Sequence, residues 1–233
     1  MSSSRYTVAR TQAPAAAARE SFVELESYAG RSPPHAGARM VNGAQRGALS
    51  APSPVTAEAS SVVDFWREAG PPSWFAKDSE FDRRFRDRFL SLHEAAARGE
   101  LDGWLATPYG ALALLLLLDQ FPRNAFRGMP RMYATDEPAR KAAAAALDAG
   151  HDRAVSAELQ LFFYLPFGHS EDLADQERSV GLARRLGQPS VSHAERHRDI
   201  VRRFARFPHR NPILGRAMTQ EEQRFLDDGG FAG

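Results

Sequence analysis

The sequence predicts an all-α domain over residues 59–233, preceded by an N-terminal extension. Three observations favour this class. From residue 61 onward apolar residues recur every three or four positions, helix caps and breakers separate these stretches, and no run of alternating β-branched residues competes with them. A domain of this length can build a full hydrophobic core. The short connections predict antiparallel helix pairs.

Each helix is predicted from a start signal, an apolar period and a stop signal. The central helix is the clearest example, because Thr107 and Pro108 open it, its body from Tyr109 to Phe121 is nearly all apolar, and Pro122 is expected to end it. These signals predict about eight helices. In chain order they cover Ser61–Ala69, Ser79 as N-cap to Gly99, Thr107–Phe121, Thr135–Gly150, Ser156–Leu165 ended by Pro166, Ser170 as N-cap to Leu186, a helix opened by the Ser192–Glu195 capping box, and one opened by the Thr219–Glu222 capping box.

The extension, residues 1–58, is rich in Ala, Ser, Gly, Pro and Arg and lacks a sustained apolar period. Such a segment buries too little apolar surface to offset the entropy of ordering it. We therefore expect it to be disordered, with a weak helix at Ser21–Tyr28. It lacks the continuous apolar stretch of a secretory signal, and the glutamates at 20, 24 and 26 argue against a transit peptide.

Composition excludes several classes of function. The chain has no cysteine, which excludes disulfides, thiolate metal sites and cysteine nucleophiles and suits a reducing cytoplasm. The formal net charge of +1 creates no field toward nucleic acid or an anionic membrane. The longest apolar run, Ala111–Leu118, is too short to span a bilayer. We expect a cytoplasmic protein with neither a nucleic acid nor a membrane as its partner.

Polar residues at helix ends are the candidates for chemistry. Asp119 and Gln120 end the apolar helix, where a carboxylate is unfavourable unless a cation such as Arg123 lies against it. Further along, His169 precedes Asp172, and the two could form an oriented acid–base pair or bind a metal. In the alternative interpretation, the Asp–Arg–Asn group only fixes a loop, and Ser170 is an N-cap followed by acidic residues in the first turn.

Two further features lie in the C-terminal third. His193 and His197 are four residues apart, a spacing that two imidazoles can use to share a metal, but Ala194 stands where zinc peptidases carry their glutamate. From Arg178 to Arg216 there are ten arginines and three histidines. This excess indicates either an anion-binding face or a solvated face neutralised by acids from other helices, such as those in Glu171–Glu177.

Four motifs in chain order resemble the Domain of Unknown Function 924 family. They are Val63-Asp64-Phe65-Trp66 with Trp74-Phe75, Leu117 to Asn124, Phe163 to Asp172, and Arg206 to Asn211. The resemblance covers about residues 61–231. It implies a soluble, bacterial-type all-helical domain similar to right-handed, tetratricopeptide-like arrays of helix pairs, and no established reaction. Gly168 departs from the family pattern, in which a larger residue precedes the histidine.

The motifs of the family fall on the same polar helix ends, which raises the expectation of one convergent site. The first hypothesis is a hydrolase- or lyase-type enzyme that acts on a small anionic molecule. The alternative is a binding module for an acidic peptide or protein, and a third interpretation is a set of purely structural networks. No cofactor or metal is indicated. The candidate catalytic residues are His169, Asp172, His197 and His209, and the candidate binding residues are Asp119, Gln120, Arg123, Asn124, Glu171, Arg198, Arg210 and Asn211.

Overall fold

The computed structural model describes residues 54–233, with side chains from residue 57. Every regular element in this range is helical, which confirms the predicted all-α class. Eight of the helices have eight residues or more, in agreement with the predicted number. The superhelical arrangement that the family resemblance implies stays a prediction.

The elements follow one another with short connections. The α-helices are α1 (Pro54–Ala69), α2 (Pro71–Trp74), α3 (Ser79–Ala97), α4 (Pro108–Leu115), α5 (Phe121–Ala125), α6 (Asp136–Asp148), α7 (Ala157–Gly168), α8 (Leu173–Ala183), α9 (Ser190–Phe204), α10 (Asn211–Leu214) and α11 (Gln220–Asp227). A π-helical turn, Leu116–Gln120, joins α4 to α5. Short 3₁₀ helices cover Asp102–Ala106, Pro130–Tyr133, His151–Ala154 and Pro208–Arg210.

Helix α4 lies at the centre of the core, as its apolar sequence predicts. From Gly110 to Leu118 each residue is buried, and α4 packs against α1, α6 and α7. Aromatic rings fill the space between α1, α3 and α7, where Trp66 contacts Phe85 and the edge of Phe162. Burying such side chains contributes about 1.5–3 kcal/mol each. Helices α6 to α9 pack in chain order, each against the next.

The helix starts confirm some predicted caps and correct others. The side chain of Thr107 accepts the Gly110 N–H, and Thr219 forms the predicted capping box with Glu222. The predicted N-cap Ser79 is wrong. Asp78 caps α3 instead, because its carboxylate accepts two backbone N–H groups of the first turn.

Two more predicted caps are wrong. Helix α8 begins after Asp172, whose carboxylate accepts the N–H groups of Ala174 and Asp175, so Ser170 is not the N-cap. Helix α9 begins at Ser190, and the hydroxyl of Ser192 donates to the side chain of Gln188 instead of capping. At α8 the carboxylate of Asp172 is the better acceptor for the free N–H groups. At α9 the helix starts two residues before Ser192, so this serine cannot be its N-cap.

Neither proline predicted to end a helix does so. Pro166 lies inside α7, and Pro122 lies in the first turn of α5, directly after the π-helical turn. Proline has no N–H to donate, so the carbonyl that would accept it loses its helical partner. That carbonyl lies four residues before the proline in an α-helix and five residues before it in a π-helix. For Pro122 these are the carbonyls of Leu118 and Leu117. The helix continues because other groups donate to them.

Two side chains from other elements supply those hydrogen bonds. The Nδ1–H of His93 on α3 donates to the Leu117 carbonyl at 2.9 Å, and the hydroxyl of Thr135 donates to the Leu118 carbonyl at 2.6 Å. His93 and Thr135 are both buried. The π-helical turn is thus held by α3 on one side and by the start of α6 on the other.

At the N-terminal end, α1 begins at Pro54, inside the predicted extension. The rest of that extension, including the predicted helix at Ser21–Tyr28, lies outside the described residues. Among the helices of residues 54–233, none combines the length and apolarity that crossing a bilayer requires.

The support of the π-helical turn yields a first prediction. Thr135→Val keeps the shape of the side chain but leaves the buried Leu118 carbonyl without its donor, so we expect the free energy of unfolding to fall by about 1–3 kcal/mol. Urea denaturation at pH 7 measures the change. Ser61→Ala, which removes an exposed contact with Arg88, should change it by less than about 0.5 kcal/mol. Equal effects in the two variants would contradict the assigned role of Thr135.

Candidate active site

The centre of the site is a contact between Asp119 and His169. Asp119 lies in the π-helical turn and is 1% exposed, and His169 follows the last residue of α7. The Nδ1 atom of His169 lies 2.8 Å from Oδ1 of Asp119. The side-chain amide of Gln120 donates to the other carboxylate oxygen at 2.7 Å. A carboxylate and an imidazole from distant parts of the chain therefore form a fixed pair.

The charges around the pair set its protonation state. Burial by itself would raise the pKa of Asp119, but Arg123 and His169 outweigh it and lower that pKa to about 2. Burial and the charge of Arg123 lower the pKa of His169 below its ordinary value. At neutral pH the pair is therefore a carboxylate and a neutral imidazole whose Nδ1–H donates to it. The lone pair of the imidazole is then on Nε2.

The Nε2 atom of His169 is the ring nitrogen that the contact with Asp119 does not use. No residue within the range 54–233 forms a hydrogen bond with it, and it does not belong to the buried polar atoms that lack a partner. The side chain as a whole is 16% exposed. An imidazole that is oriented through one nitrogen and open at the other is the usual geometry of a general base.

Alternating charges extend inward from the pair. The guanidinium of Arg123 lies 3.2 Å from Asp119 Oδ1 and 2.9 Å from Asp136 Oδ1. Arg210 lies 3.4 Å from the other oxygen of Asp136 and donates to the carbonyl of His169 at 2.9 Å. The rings of Tyr133 and Phe207 lie within 4.6 Å of the Arg210 guanidinium carbon. Each charge in this row faces an opposite one, which makes its burial tolerable.

Two further histidines lie close to His169. The Nδ1–H of His197, on α9, donates to the carbonyl of Gly168 at 3.2 Å. His209 precedes Arg210 in its 3₁₀ helix and packs on Phe207. Burial is the main cause that lowers the pKa of each ring to about 3. Both rings are therefore neutral at physiological pH.

Gly168 allows the close approach of α7, α8 and α9. A Cβ atom at this position would lie 3.0 Å from the Ser179 hydroxyl oxygen and 3.9 Å from Nδ1 of His197. Its carbonyl accepts hydrogen bonds from both Gln176 and His197. The position at which the resemblance implies a departure from the family pattern is thus one where α7 packs tightly against Ser179.

A second charged group surrounds the first. Glu171 receives two hydrogen bonds from the Arg216 guanidinium and a third from the Phe207 N–H. Arg216 also donates to the side-chain carbonyl of Asn211, which is fully buried. Burial by itself would raise the pKa of Glu171. These hydrogen bonds lower it by more than burial raises it, so the pKa lies below its ordinary value. This group holds the 3₁₀ helix that carries His209 and Arg210.

The structure does not place every candidate residue in the centre. Asp172 is exposed and caps α8, so the expected pair of His169 with Asp172 is replaced by the pair with Asp119. The amide of Asn124 donates to Asp82, away from the histidines. Arg198 faces Asp199 and Glu177 on the outer side of α8 and α9. In the described part of the chain, no three histidine, aspartate or glutamate side chains are grouped so that they could hold a metal ion.

The arginines of the C-terminal third are matched by acids from other elements. Arg202 pairs with Glu177, and exposed Arg203 pairs with Glu221. Arg206 forms a bidentate contact with the buried Glu222. These pairs agree with the interpretation of a neutralised face and give less support to a free anion-binding face.

Some residues of the site escaped the sequence analysis. Asp136 looks like an ordinary first-turn acid of α6, and its role depends on Arg123 and Arg210, which are distant in sequence. Tyr133 ends the short 3₁₀ helix Pro130–Tyr133, where the sequence carries no motif. Phe231 follows two glycines at the end of the chain, where no pattern predicts a contact. Its ring lies 4.6 Å from that of His197.

Comparisons with known proteins agree with this architecture. A family model described as "Bacterial protein of unknown function (DUF924)" matches residues 62–230. The chain is also similar to a solved structure titled "Structure of Protein of Unknown Function ATU0120 from Agrobacterium tumefaciens". The two share 57% sequence identity over 74% of this chain and 98% of that one, with a TM-score of 0.73. Among curated proteins, no match was found.

The neutral histidines predict how stability depends on pH. Because folding lowers the pKa of His197 and His209 from 6.5 to about 3, the unfolded chain binds protons that the folded chain does not. These two rings therefore do not reduce the free energy of unfolding above pH 6.5, and they reduce it progressively as the pH decreases toward 3. Each ring contributes about 1.4 kcal/mol per pH unit once the unfolded ring is protonated.

Urea denaturation between pH 7 and pH 5 tests this dependence. His209→Gln should make the decrease smaller by about 1–2 kcal/mol over this window, whatever its effect on stability at pH 7. The titration of Asp119 does not affect this measurement. Because folding lowers its pKa, Asp119 reduces stability only when the pH falls below its ordinary pKa of 3.8, outside the window from pH 7 to pH 5. Ser61→Ala removes no titrating group and should leave the slope unchanged. A slope that is the same in His209→Gln would refute the assignment.

The central pair yields a third prediction. Asp119 is the group that raises the pKa of His169 against burial and Arg123, so Asp119→Asn should lower that pKa further. It should also weaken the preference for the tautomer with its proton on Nδ1. Nitrogen-15 NMR of the histidine side chains measures both quantities. Asn124→Asp, a matched carboxylate–amide exchange beside Asp82, should leave the His169 signals in place. An unchanged tautomer in Asp119→Asn would speak against the pair.

Proposed function

Because the chain belongs to the DUF924 family, whose description assigns no function, we propose from its own geometry that it is an enzyme with general acid–base chemistry. The Nε2 atom of His169 would take a proton from, or return it to, a bound small molecule. Asp119 would orient the ring and stabilise the imidazolium that forms when Nε2 is protonated. Hydrolysis, elimination and isomerisation can all be catalysed by such a group.

One observation carries this proposal. The His169 ring is held through Nδ1 by a buried carboxylate at 2.8 Å, while its Nε2 has no hydrogen-bond partner within residues 54–233 and the side chain is 16% exposed. A purely structural histidine would be expected to use both nitrogens or to bury the unused one. His93 differs in its burial, because it is only 3% exposed and its Nδ1 satisfies a helix carbonyl.

The charges around the pair support a role in proton transfer more than in anion binding. Asp119, Asp136 and Glu171 balance Arg123, Arg210 and Arg216, so the network has no excess positive charge. Burial and the charge of Arg123 lower the pKa of His169 and keep the imidazole neutral, as a base requires, and Asp136 holds Arg123 in place. The anionic substrate that the arginine-rich sequence indicates stays a prediction, as does an acidic peptide partner.

A turnover screen tests the proposal without a known substrate. Purified protein is incubated with a small-molecule extract of bacterial cells, and changes are followed by mass spectrometry. We expect at least one compound to be consumed by the wild type but not by His169→Gln, with a loss of rate of about 10²-fold or more. Circular dichroism confirms that the variant is folded.

The matched control is His151→Gln. His151 is a histidine outside the site whose Nε2 contacts the carbonyl of Leu105. This variant should consume the same compound at a rate close to that of the wild type. If His169→Gln retains the full rate, or if no compound depends on His169, the acid–base assignment is wrong.

A further inference from the structure

The C-terminal segment packs on the two neutral histidines. The ring of Phe231 lies 4.6 Å from the ring of His197, 5.1 Å from that of His209 and 6.5 Å from that of Phe207, measured between centroids. The ring plane of Phe231 is tilted by 53° to that of His197, and it meets His209 at 84° and Phe207 at 61°, the edge-on arrangement that aromatic quadrupoles favour. We call the space bounded by His197, Phe207 and His209 the histidine recess.

The recess suits a neutral, planar group. Its two imidazoles are uncharged at physiological pH, so neither a cation nor an anion gains a partner from them. The Nδ1 atom of His209 is buried and, within residues 54–233, has no hydrogen-bond partner. Unsatisfied buried atoms are uncommon in native proteins and are typical of sites where a ligand or a water is missing. The Phe231 ring has no polar atom with which to satisfy it.

The segment that carries Phe231 is lightly attached. After α11 ends at Asp227, the Gly230 N–H donates to the Phe225 carbonyl, and the exposed ammonium group of Lys77 donates to the Gly233 carbonyl at 3.3 Å. Gly229 lies in the left-handed region with φ 84°, where glycine bends at low cost. Phe231 itself stays partly exposed.

An open groove borders the outer side of the same ring. It has a volume of about 350 Å³ and lies between α9 and α11. Its lining combines the apolar residues Ile200, Phe204, Phe225 and Phe231 with the charged residues Arg196, Asp199 and Arg203. Phe231 therefore stands between this groove and His197. Displacement of the ring would connect the groove with the recess. The recess is joined to the backbone around His169, because His197 donates to the carbonyl of Gly168 and Arg210, next to His209, donates to the carbonyl of His169.

We propose that the histidine recess is a binding subsite for a planar aromatic group and that Phe231 occupies it when no ligand is bound. A ligand ring enters by displacing the C-terminal segment. As a substrate subsite, the recess rests on the proposed function and assigns an aromatic substituent to the molecule on which His169 acts. The claim that the recess binds a planar ring does not depend on the proposed function, because it is argued from the ring contacts.

Indole serves as the probe, because it is a neutral planar ring with one hydrogen-bonding atom. Carbon-13 NMR of the histidine side chains reports its binding at His197 and His209. Phe231 competes with it in the wild type, so Phe231→Ala should bind indole about threefold or more tightly. Ala232→Ser alters the same segment but keeps the ring, and should match the wild type.

Two comparisons make the test decisive. A chain ending at Asp228 should bind indole as Phe231→Ala does, which covers the case of a variant that folds poorly. Cyclohexanol, of similar size but not planar, should bind at least threefold more weakly than indole to Phe231→Ala. Equal indole affinity in wild type and Phe231→Ala, an absence of shifts at the two histidines, or equal binding of both probes overturns the proposal.

The outcome is independent of the enzymatic proposal. His169→Gln should retain the affinity of the wild type for indole, because the residue does not line the recess. Indole binding that persists in an otherwise inactive protein would leave the subsite in place while the acid–base assignment fails. Turnover that depends on His169 without indole binding would give the opposite result.

Discussion

A carboxylate buried at the end of an apolar helix is the constraint on which the site depends. Asp119 is 1% exposed, and an isolated charge at that depth would cost several kcal/mol of desolvation. It is stable because Arg123, Gln120 and His169 all contact it. Arg123 in turn requires Asp136, and Arg210 joins Asp136 to the backbone of His169. The network therefore links the π-helical turn, α6, the end of α7 and the 3₁₀ helix at 208–210.

The π-helical turn is the backbone counterpart of this constraint. One inserted residue advances the direction of all following side chains by about 100°, so Asp119 does not point where a regular helix would send it. Pro122 favours the irregularity, because the carbonyls that would face its missing N–H accept hydrogen bonds from His93 and Thr135 instead. A structural irregularity, a buried charge and the candidate base thus occur in the same few residues, a combination that is common at functional sites.

The sequence predicts most of the residues that contact one another around Asp119, but it pairs His169 with the wrong acid. His169 was assigned to Asp172 because the two are close in sequence, whereas its partner, Asp119, is fifty residues away. Asp172 was available as a cap because it lies at the start of α8 with its carboxylate in reach of two free N–H groups. Local reasoning could not anticipate this exchange, since the distance between Asp119 and His169 depends on how α4 and α7 pack.

The sequence by itself determined the all-α class, the buried central helix and the concentration of polar residues at helix ends. These follow from periodicity, capping and hydrophobic burial, which act over a few residues. Tertiary structure decided which acid faces which base, where the prolines let a helix continue, and that Phe231 covers two histidines. These depend on contacts between distant segments, which the pattern of one segment does not encode. The polar helix ends were thus visible in the chain, and their chemistry arises from the way the helices bring them together.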